Sequence, residues 1–248
     1  MMETMIDFHT HILPGIDDGS HSVEESLEML RLEMSQGVDT IFLTPHFYAQ
    51  EQYPEQFLKQ RERAMEQLQN AIPYDEAVPN FVLGAEVMYY PGMSKWEQLP
   101  RLALGQTGYI LIEMPGNRVP GGAMRELEEI YMQRNLIPIL AHVERYFQPL
   151  RIRELMDQLE DLPVLLQLNG TYLIDRHTRK HAISLLKRGR VQLIGSDCHS
   201  LDWRKPCMDN VRKILDESLD DRTLQTLSMV GQIVLRGDNI FVKNTAMQ

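Results

Sequence analysis

The chain has 248 residues, 43% hydrophobic and 24% charged, and a formal charge of -10. That length buries a substantial core in one domain, and the acidic balance argues against a nucleic-acid backbone as partner, since phosphate binding wants a basic footprint. Cys198 and Cys207, the only 2 cysteines, suit a reducing compartment and give no disulfide framework. With no apolar run of transmembrane length and no signal-peptide core, a cytoplasmic protein without membrane insertion is expected.

Taken in order, the elements alternate strand and helix. Met1 to Thr4 read as an extension before a first strand over Met5 to Phe8. Ser22 caps a helix, with Glu25 in the capping-box position, Leu27, Leu30 and Met34 on its apolar stripe and Gly37 as its stop. Further strands are predicted over Thr40 to Leu43, Phe81 to Ala85, Tyr109 to Ile112, Ile137 to Ala141, Val164 to Leu168 and Val191 to Gly195. Helices are predicted from about Pro54 to Asn70, from beyond Gly122 to Arg134, and around Leu150 to Leu159 and Ala182 to Arg188, with two more near Asp209 to Glu217 and Asp220 to Val230. About seven strands alternating with helices predict parallel pairing and an α/β architecture. There is no linker composition, repeat or low-complexity tract, so residues 1-248 read as one domain.

Chemistry-bearing residues sit where such strands end. His9, His46, Glu86, Glu113, His142, Asn169 and Asp197 follow the seven strands in turn, and in α/β barrels the C-terminal strand ends carry the active site. His9 and His11 are two apart, so strand alternation puts them on one side of the sheet. Asp197 and His199 mirror them at the last strand. Glu86 and Glu113 each close an apolar run, where a carboxylate is costly to bury unless it is paired or metal-bound. An arginine ion pair competes with a metal as the reason for each. Of Asp17 and Asp18, one is expected to serve an Asx-type turn and not both to be ligands. The mixed imidazole and carboxylate set suits Zn, Mn, Fe or Co better than a closed thiolate site. The reading is a metal-dependent hydrolase.

Other histidines look bland. His21 precedes a helix cap, and His177 and His181 read as a solvated helical face. Trp96 and Trp203 read as packing residues, Trp203 close enough to the Asp197 loop to line a pocket. Cys198 to Arg204 satisfies the Cys-x5-Arg pattern of thiol phosphatases, but the loop lacks glycine and places Asp202 where phosphate would be repelled.

Across its whole length the chain resembles the polymerase-and-histidinol-phosphatase (PHP) superfamily, and within it the manganese-dependent bacterial protein-tyrosine phosphatases of capsule and exopolysaccharide loci. The matching stretches are Ile6-Asp7-Phe8-His9-Thr10-His11, Asp17-Asp18-Gly19, Thr44-Pro45-His46, Gly84-Ala85-Glu86, Leu111-Ile112-Glu113, Ala141-His142-Val143-Glu144-Arg145-Tyr146 and Gly195-Ser196-Asp197-Cys198-His199, with Glu24-Glu25-Ser26 in the first helix. The resemblance implies a distorted seven-stranded β/α barrel with a trinuclear centre. By position, His9, His11, Glu86 and Asp197 would hold the first metal. Glu86 would bridge to a second held by Glu113 and His142, and Asp18, His46 and His199 would hold the third. It further implies Mn2+ (up to three divalent ions) as cofactor, and Arg145 and Arg204 as the grip on the phosphoryl group. The substrate it implies is phosphotyrosine on an autophosphorylated bacterial tyrosine kinase. Two departures are Phe47-Tyr48-Ala49 after His46, where relatives carry basic or polar residues, and Lys205 beside Arg204.

The chemistry expected is in-line attack on phosphorus by hydroxide formed at the metals, whose bound water titrates near about 7 rather than about 15.7. A phenolate, with a pKa of about 10, leaves more readily than an alkoxide. The alternatives are the same reaction on a small phosphomonoester such as histidinol phosphate, and a non-catalytic, metal-stabilised regulatory binding protein. The sequence leaves the general acid and the oligomeric state open.

Overall fold

The computed structural model describes residues 5–147 and 152–241. The N-terminal extension and the Leu150 start of one expected helix therefore lie outside the described residues.

Strand β1 (Ile6–Thr10) leads to helix α1 (Val23–Ser35), where the Ser22 hydroxyl accepts from the Glu25 N–H at 3.2 Å and Glu25 accepts from the His21 N–H at 2.9 Å. Next come β2 (Thr40–Leu43), β3 (His46–Phe47) and α2 (Pro54–Ala71), whose proline occupies the first turn, where a missing N–H costs nothing. They are followed by β4 (Asn80–Leu83), β5 (Glu86–Met88), β6 (Tyr109–Glu113), α3 (Ala123–Arg134), β7 (Ile137–Leu140), α4 (Ile152–Glu160) and β8 (Leu165–Asn169). The chain continues through α5 (Gly170–Ile174), α6 (Arg179–Lys187), β9 (Leu193–Gly195), α7 (Met208–Ser218) and α8 (Asp221–Arg236).

Every strand pairing described is parallel. The strands order as β1-β2-β4 in a three-stranded sheet and as β3-β5-β6-β7-β8-β9 in a six-stranded one. The sheet curls, since the Asp197 N–H donates to His9 O at 2.8 Å and the His11 N–H to Cys198 O at 2.9 Å, bringing the end of β9 beside β1. The result is an α/β fold with a curled parallel sheet.

β2 occupies the expected Thr40–Leu43, whereas the expected Phe81 to Ala85 strand stops at Leu83. Past Thr44-Pro45 and Gly84-Ala85, β3 and β5 form as additional short segments in the second sheet, so regular pairing gives sheets of three and six strands rather than seven strands. The breaks are still bridged, by Gly84 N–H to Leu43 O at 2.8 Å and Glu86 N–H to Pro45 O at 3.0 Å. Pro45 has no N–H to give to a ladder, and a Cβ on Gly84 would sit 2.4 Å from a Leu104 methyl, so this local sequence favours a bend. Helix α6 begins three residues before the expected Ala182, and α8 runs on past Val230 to Arg236. Gly231 does not stop α8 because it packs toward Phe8 and Ile6.

One core cluster fills the sheet interior with Ile6, Phe8, Phe42, Tyr109, Leu111, Ile139, Leu165 and Leu193, and Val230 and Val234 of α8 close it at the strand starts. Fully burying a side chain such as Phe42 contributes about 1.5–3 kcal/mol. By alternation the same interior files continue toward the strand ends as Phe42-Thr44-His46, Tyr109-Leu111-Glu113, Leu165-Gln167-Asn169 and Leu193-Gly195-Asp197. Each begins apolar and ends polar. On β1 a register irregularity between Asp7 and Thr10 moves the interior file from Ile6 and Phe8 onto His9 and His11. A bulge that re-aims side chains beside a site is a recurrent device.

Candidate metal centre

All nine predicted ligand positions converge at the C-terminal mouth of the sheet. His9 Nε2 lies 3.1 Å from Glu86 Oε2 and 3.4 Å from Asp197 Oδ1. His11 Nε2 is 3.3 and 3.5 Å from the same two oxygens and 3.0 Å from His9 Nε2. His46 and Glu86 are register partners on β3 and β5, with His46 Nδ1 3.0 Å from Glu86 Oε2. On the far side of Glu86, His142 Nε2 stands 2.7 Å from its Oε1 and 3.4 Å from Glu113 Oε1. Asp18 Oδ1 lies 3.5 Å from both His46 Nε2 and His199 Nε2.

These atoms form three interlocking groups, each with its ligand atoms within 4.8 Å of one another: His9-His11-Glu86-Asp197, His11-Asp18-His46-His199, and His46-Glu86-Glu113. The first coincides with the set expected for the first metal. The second contains the set expected for the third metal and adds His11. In the group around Glu113 the compact partner is His46, with His142 joined through its short contact to Glu86.

Backbone shape serves the same convergence. His142, Asp197 and Arg204 all adopt left-handed φ, at 32°, 54° and 55°. Such strain in a non-glycine residue persists only where surroundings impose it, and it clusters at functional sites. Gly195 has a different role: a Cβ there would meet His9 Cβ at 2.5 Å and His9 N at 2.9 Å, so only glycine lets β9 approach β1 this closely.

The residues fit divalent cations. His9, His11, Glu86 and Asp197 are at most 1% exposed, an environment in which unpaired charge is very costly. Yet Glu86 Oε2 and His46 Nδ1, though close, make no hydrogen bond. Burial pushes Glu86 upward, but His9 and His46 overcome it and hold the carboxylate well below its ordinary range. Asp197 is held low in the same way against burial, chiefly by His9. Burial, with Glu86 alongside, pushes Glu113 up to about 7, and burial, with His11 and Arg204, pushes His199 down to about 4. Lone pairs from imidazoles and carboxylates aimed at shared points in a dry site are a nitrogen and oxygen donor set for borderline metals.

Arginines cover the mouth. Arg145 donates to Glu113 Oε1 and to Asp197 Oδ2, both at 2.9 Å, while Arg204 donates to Asp197 Oδ2 and, at 3.3 Å, to His199 Nε2. Its guanidinium also stacks 5.1 Å from the Trp203 ring, which is 65% exposed. Asp17, the partner of Asp18 in the turn, orients rather than crowds the group. Its Oδ2 sits 2.7 Å from His11 Nδ1 and accepts from the His46 N–H at 2.9 Å, while Oδ1 accepts from Gly19 N–H. A carboxylate behind a histidine that faces a metal fixes ring orientation.

The remaining candidates fall elsewhere. His21 and His177 are exposed, and His181 meets the Tyr172 hydroxyl at 2.9 Å away from the group. Cys198 is fully buried and turned toward Glu33 Oε1, at 3.9 Å, and burial together with Glu33 pushes its thiol well above the ordinary range. A thiol so placed is no nucleophile. Sequence reasoning missed Gln167, fully buried within β8, and the Tyr146 hydroxyl, which accepts from the Met114 N–H at 2.9 Å and reaches His142 Nδ1 at 3.4 Å. An amide inside an apolar strand carries no metal-ligand spacing that would have flagged it.

Comparison with known proteins agrees with this geometry. The chain is 29% identical over 243 residues to the tyrosine-protein phosphatase YwqE of Bacillus subtilis (strain 168), covering 96% of this chain and 94% of that one. It is 30% identical over 226 residues to the tyrosine-protein phosphatase CpsB of Streptococcus pneumoniae, covering 85% and 89%. Among solved structures it superposes with a TM-score of 0.80 and 25% identity, over 96% of this chain and 97% of the other, on a structure from work on Bacillus subtilis YwqE and Streptococcus pneumoniae CpsB, described as unique metal-dependent tyrosine phosphatases. A family model for capsular polysaccharide synthesis proteins, CpsB/CapC, matches residues 5–233, and this chain belongs to that family.

Proposed function

We propose that this chain is a metal-dependent protein-tyrosine phosphatase of capsule or exopolysaccharide synthesis. The observation that carries the reading is the set of three interlocking ligand groups sharing Glu86, His11 and His46, with two arginines directed onto it. We read β2 with β3 and β4 with β5 as two kinked staves, which makes the sheet a distorted seven-stave barrel within one domain.

In this reading His9, His11, Glu86 and Asp197 would hold one cation, Glu86, Glu113 and His142 a second, and Asp18, His46 and His199 a third; the mixed donor set accepts Mn, Fe, Zn or Co, and Mn2+ is proposed on the resemblance to the manganese-dependent phosphatases. Divalent cations in such a set supply Lewis acidity and bring the pKa of coordinated water from about 15.7 toward 7. Arg145 and Arg204, ion-paired with Asp197 here, are placed to neutralise the equatorial phosphoryl oxygens as charge spreads in an in-line displacement. Their fixed fork geometry matches phosphate. A phenolate leaves without strong acid assistance, because its conjugate acid titrates near about 10.

The substrate proposed is phosphotyrosine on an autophosphorylated bacterial tyrosine kinase. Openness at the rim supports a protein substrate: the side chain of Asp18 is 66% exposed, and Trp203 is 65% exposed. A cytoplasmic setting is supported by two free, buried cysteines, and no helix among the described residues is long and apolar enough to cross a membrane.

Hydrolysis of a phosphotyrosine peptide and of histidinol phosphate, each with Mn2+ and with chelator, tests the reading. Chelator-sensitive turnover that favours the peptide is expected. Preference for histidinol phosphate would move the chain to small phosphomonoesters, and metal binding without turnover of either would make it a binding protein.

A further inference from the structure

Gln167 belongs to no ligand set, yet its side chain touches two of them. It is fully buried in β8. Its Oε1 accepts from the backbone N–H of His142 at 2.7 Å and lies 3.3 Å from His9 Nδ1. Its Nε2 donates to Asn169 Oδ1 at 3.0 Å, and Asn169 Nδ2 donates in turn to Asp197 Oδ2 at 2.7 Å.

One group sets the direction of this whole series. A backbone N–H can only donate, so the atom facing His142 N must be the amide oxygen of Gln167. That leaves Nε2 toward Asn169, which must then present its own oxygen to Gln167 and its amide nitrogen to Asp197. On the other branch, an oxygen beside His9 Nδ1 needs a proton on that nitrogen. The lone pair of His9 is thereby confined to Nε2, the atom 3.1 Å from Glu86 and 3.4 Å from Asp197. Gly195 leaves room for the arrangement, since a Cβ there would come 3.0 Å from Gln167 Nε2.

We propose that Gln167 is a positioning residue: its amide fixes the tautomer of His9 and, through Asn169, the orientation of Asp197, so that both direct lone pairs at one metal position. The same amide pins the N–H of His142, whose left-handed backbone would otherwise be free to relax. Partners of this kind behind a metal-binding histidine set its basicity and ring orientation, and losing one weakens metal binding by about 10–100-fold. The proposal rests on the metal-centre reading.

The test uses the full chain stripped of metal and titrated calorimetrically with Mn2+. In Gln167→Met, which keeps bulk but offers no acceptor, the tightest Mn2+ site is expected to weaken by about 10–100-fold. Gln167→Glu restores the acceptor toward His9 and His142 but not the donor toward Asn169, and is expected to recover only part of that loss. Equal Mn2+ affinity in Gln167→Met and wild type overturns the proposal, as does Gln167→Glu binding as tightly as wild type, since that would leave the Asn169 branch without a part. Wild type that binds neither Mn2+ nor Zn2+ overturns the metal-centre reading as well, a result distinct from either. Should Gln167→Met not fold, long-range proton–nitrogen NMR on the Zn2+-loaded wild type decides the matter. His9 protonated at Nδ1 is expected, and a proton on Nε2 overturns the proposal.

Discussion

His46 and Glu86 face each other as register partners on neighbouring parallel strands, Nδ1 to Oε2 at 3.0 Å, and neither atom makes a hydrogen bond. Two buried polar atoms brought together without satisfying each other are explained by a third body between them. Glu86 also reaches His9, His11 and His142, so it belongs to two of the three ligand groups and touches His11 and His46 of the remaining one.

Replacing Glu86 by Gln should therefore do more than remove one ligand. Activity on a phosphotyrosine peptide is expected to fall by about 10³-fold or more, the upper range for losing a preorganised electrostatic contact. Metal analysis of the purified variant should show fewer bound ions per chain than wild type. Full occupancy with normal turnover would contradict the bridging role.

Arg145 and Arg204 should separate from the ligands by the same pair of measurements. Arg145→Ala is expected to lower kcat/KM by about 10²–10³-fold while metal content stays at the wild-type level. Arg145→Lys should recover little, because a single ammonium cannot span Glu113 and Asp197 as the guanidinium does. A variant that loses metal along with activity would reassign Arg145 to holding the carboxylates.

Alkylation of the native protein should leave both thiols unlabelled and activity intact. Cys198 is fully buried, and its thiol is pushed up by burial and Glu33. Loss of turnover on treatment with iodoacetamide under native conditions would revive the Cys-x5-Arg reading.

Gly195→Ala should be costly for steric reasons alone. Its new methyl would meet His9 Cβ at 2.5 Å and backbone at 2.9 Å, and forcing a methyl into such packing costs about 1–3 kcal/mol. Chemical denaturation of the metal-free protein should show this loss. Wild-type stability in the variant would mean that β1 and β9 can separate freely.

Glu126 of α3 accepts from the Tyr89 hydroxyl at 3.1 Å and from the Ser94 N–H and hydroxyl at 3.1 and 3.0 Å. Burial pushes its carboxyl up, but hydrogen bonds from the Gly92 and Ser94 backbone and from these hydroxyls outweigh that and hold it below 4.5. A depressed carboxylate stabilises the fold above its unfolded pKa and loses that contribution as pH falls through the folded value. Glu126→Gln should thus cost about 1–2 kcal/mol near neutrality. The gap in Tm between wild type and variant should be full above the ordinary carboxylate range and close as pH falls through the lowered value of Glu126. A gap independent of pH would mean that charge plays no part.

Much of the site was legible in the chain itself. A strand that ends in His or Glu after an apolar run carries its own address, because parallel strands joined by helices all point the same way and place their C-terminal residues at one mouth. His9, His46, Glu86, Glu113, His142 and Asp197 could be ordered around that mouth from sequence, and the Ser22–Glu25 cap forms where local chemistry placed it. These are properties of a residue and its near neighbours.

What only the tertiary structure decided depends on residues far apart in the chain. The bends at Thr44-Pro45 and Gly84-Ala85 put His46 in register with Glu86, 40 positions on, and the irregularity in β1 turned His9 and His11 inward. Cys198 met the short motif of a nucleophile and was excluded by burial against Glu33, a contact spanning 165 residues. Gln167 reads as one more polar residue in an apolar strand until folding brings His9, 158 residues away, to its amide. Local pattern determines which residues can reach the site, whereas a buried hydrogen bond is defined only when both partners have been packed against each other, and that step belongs to the fold.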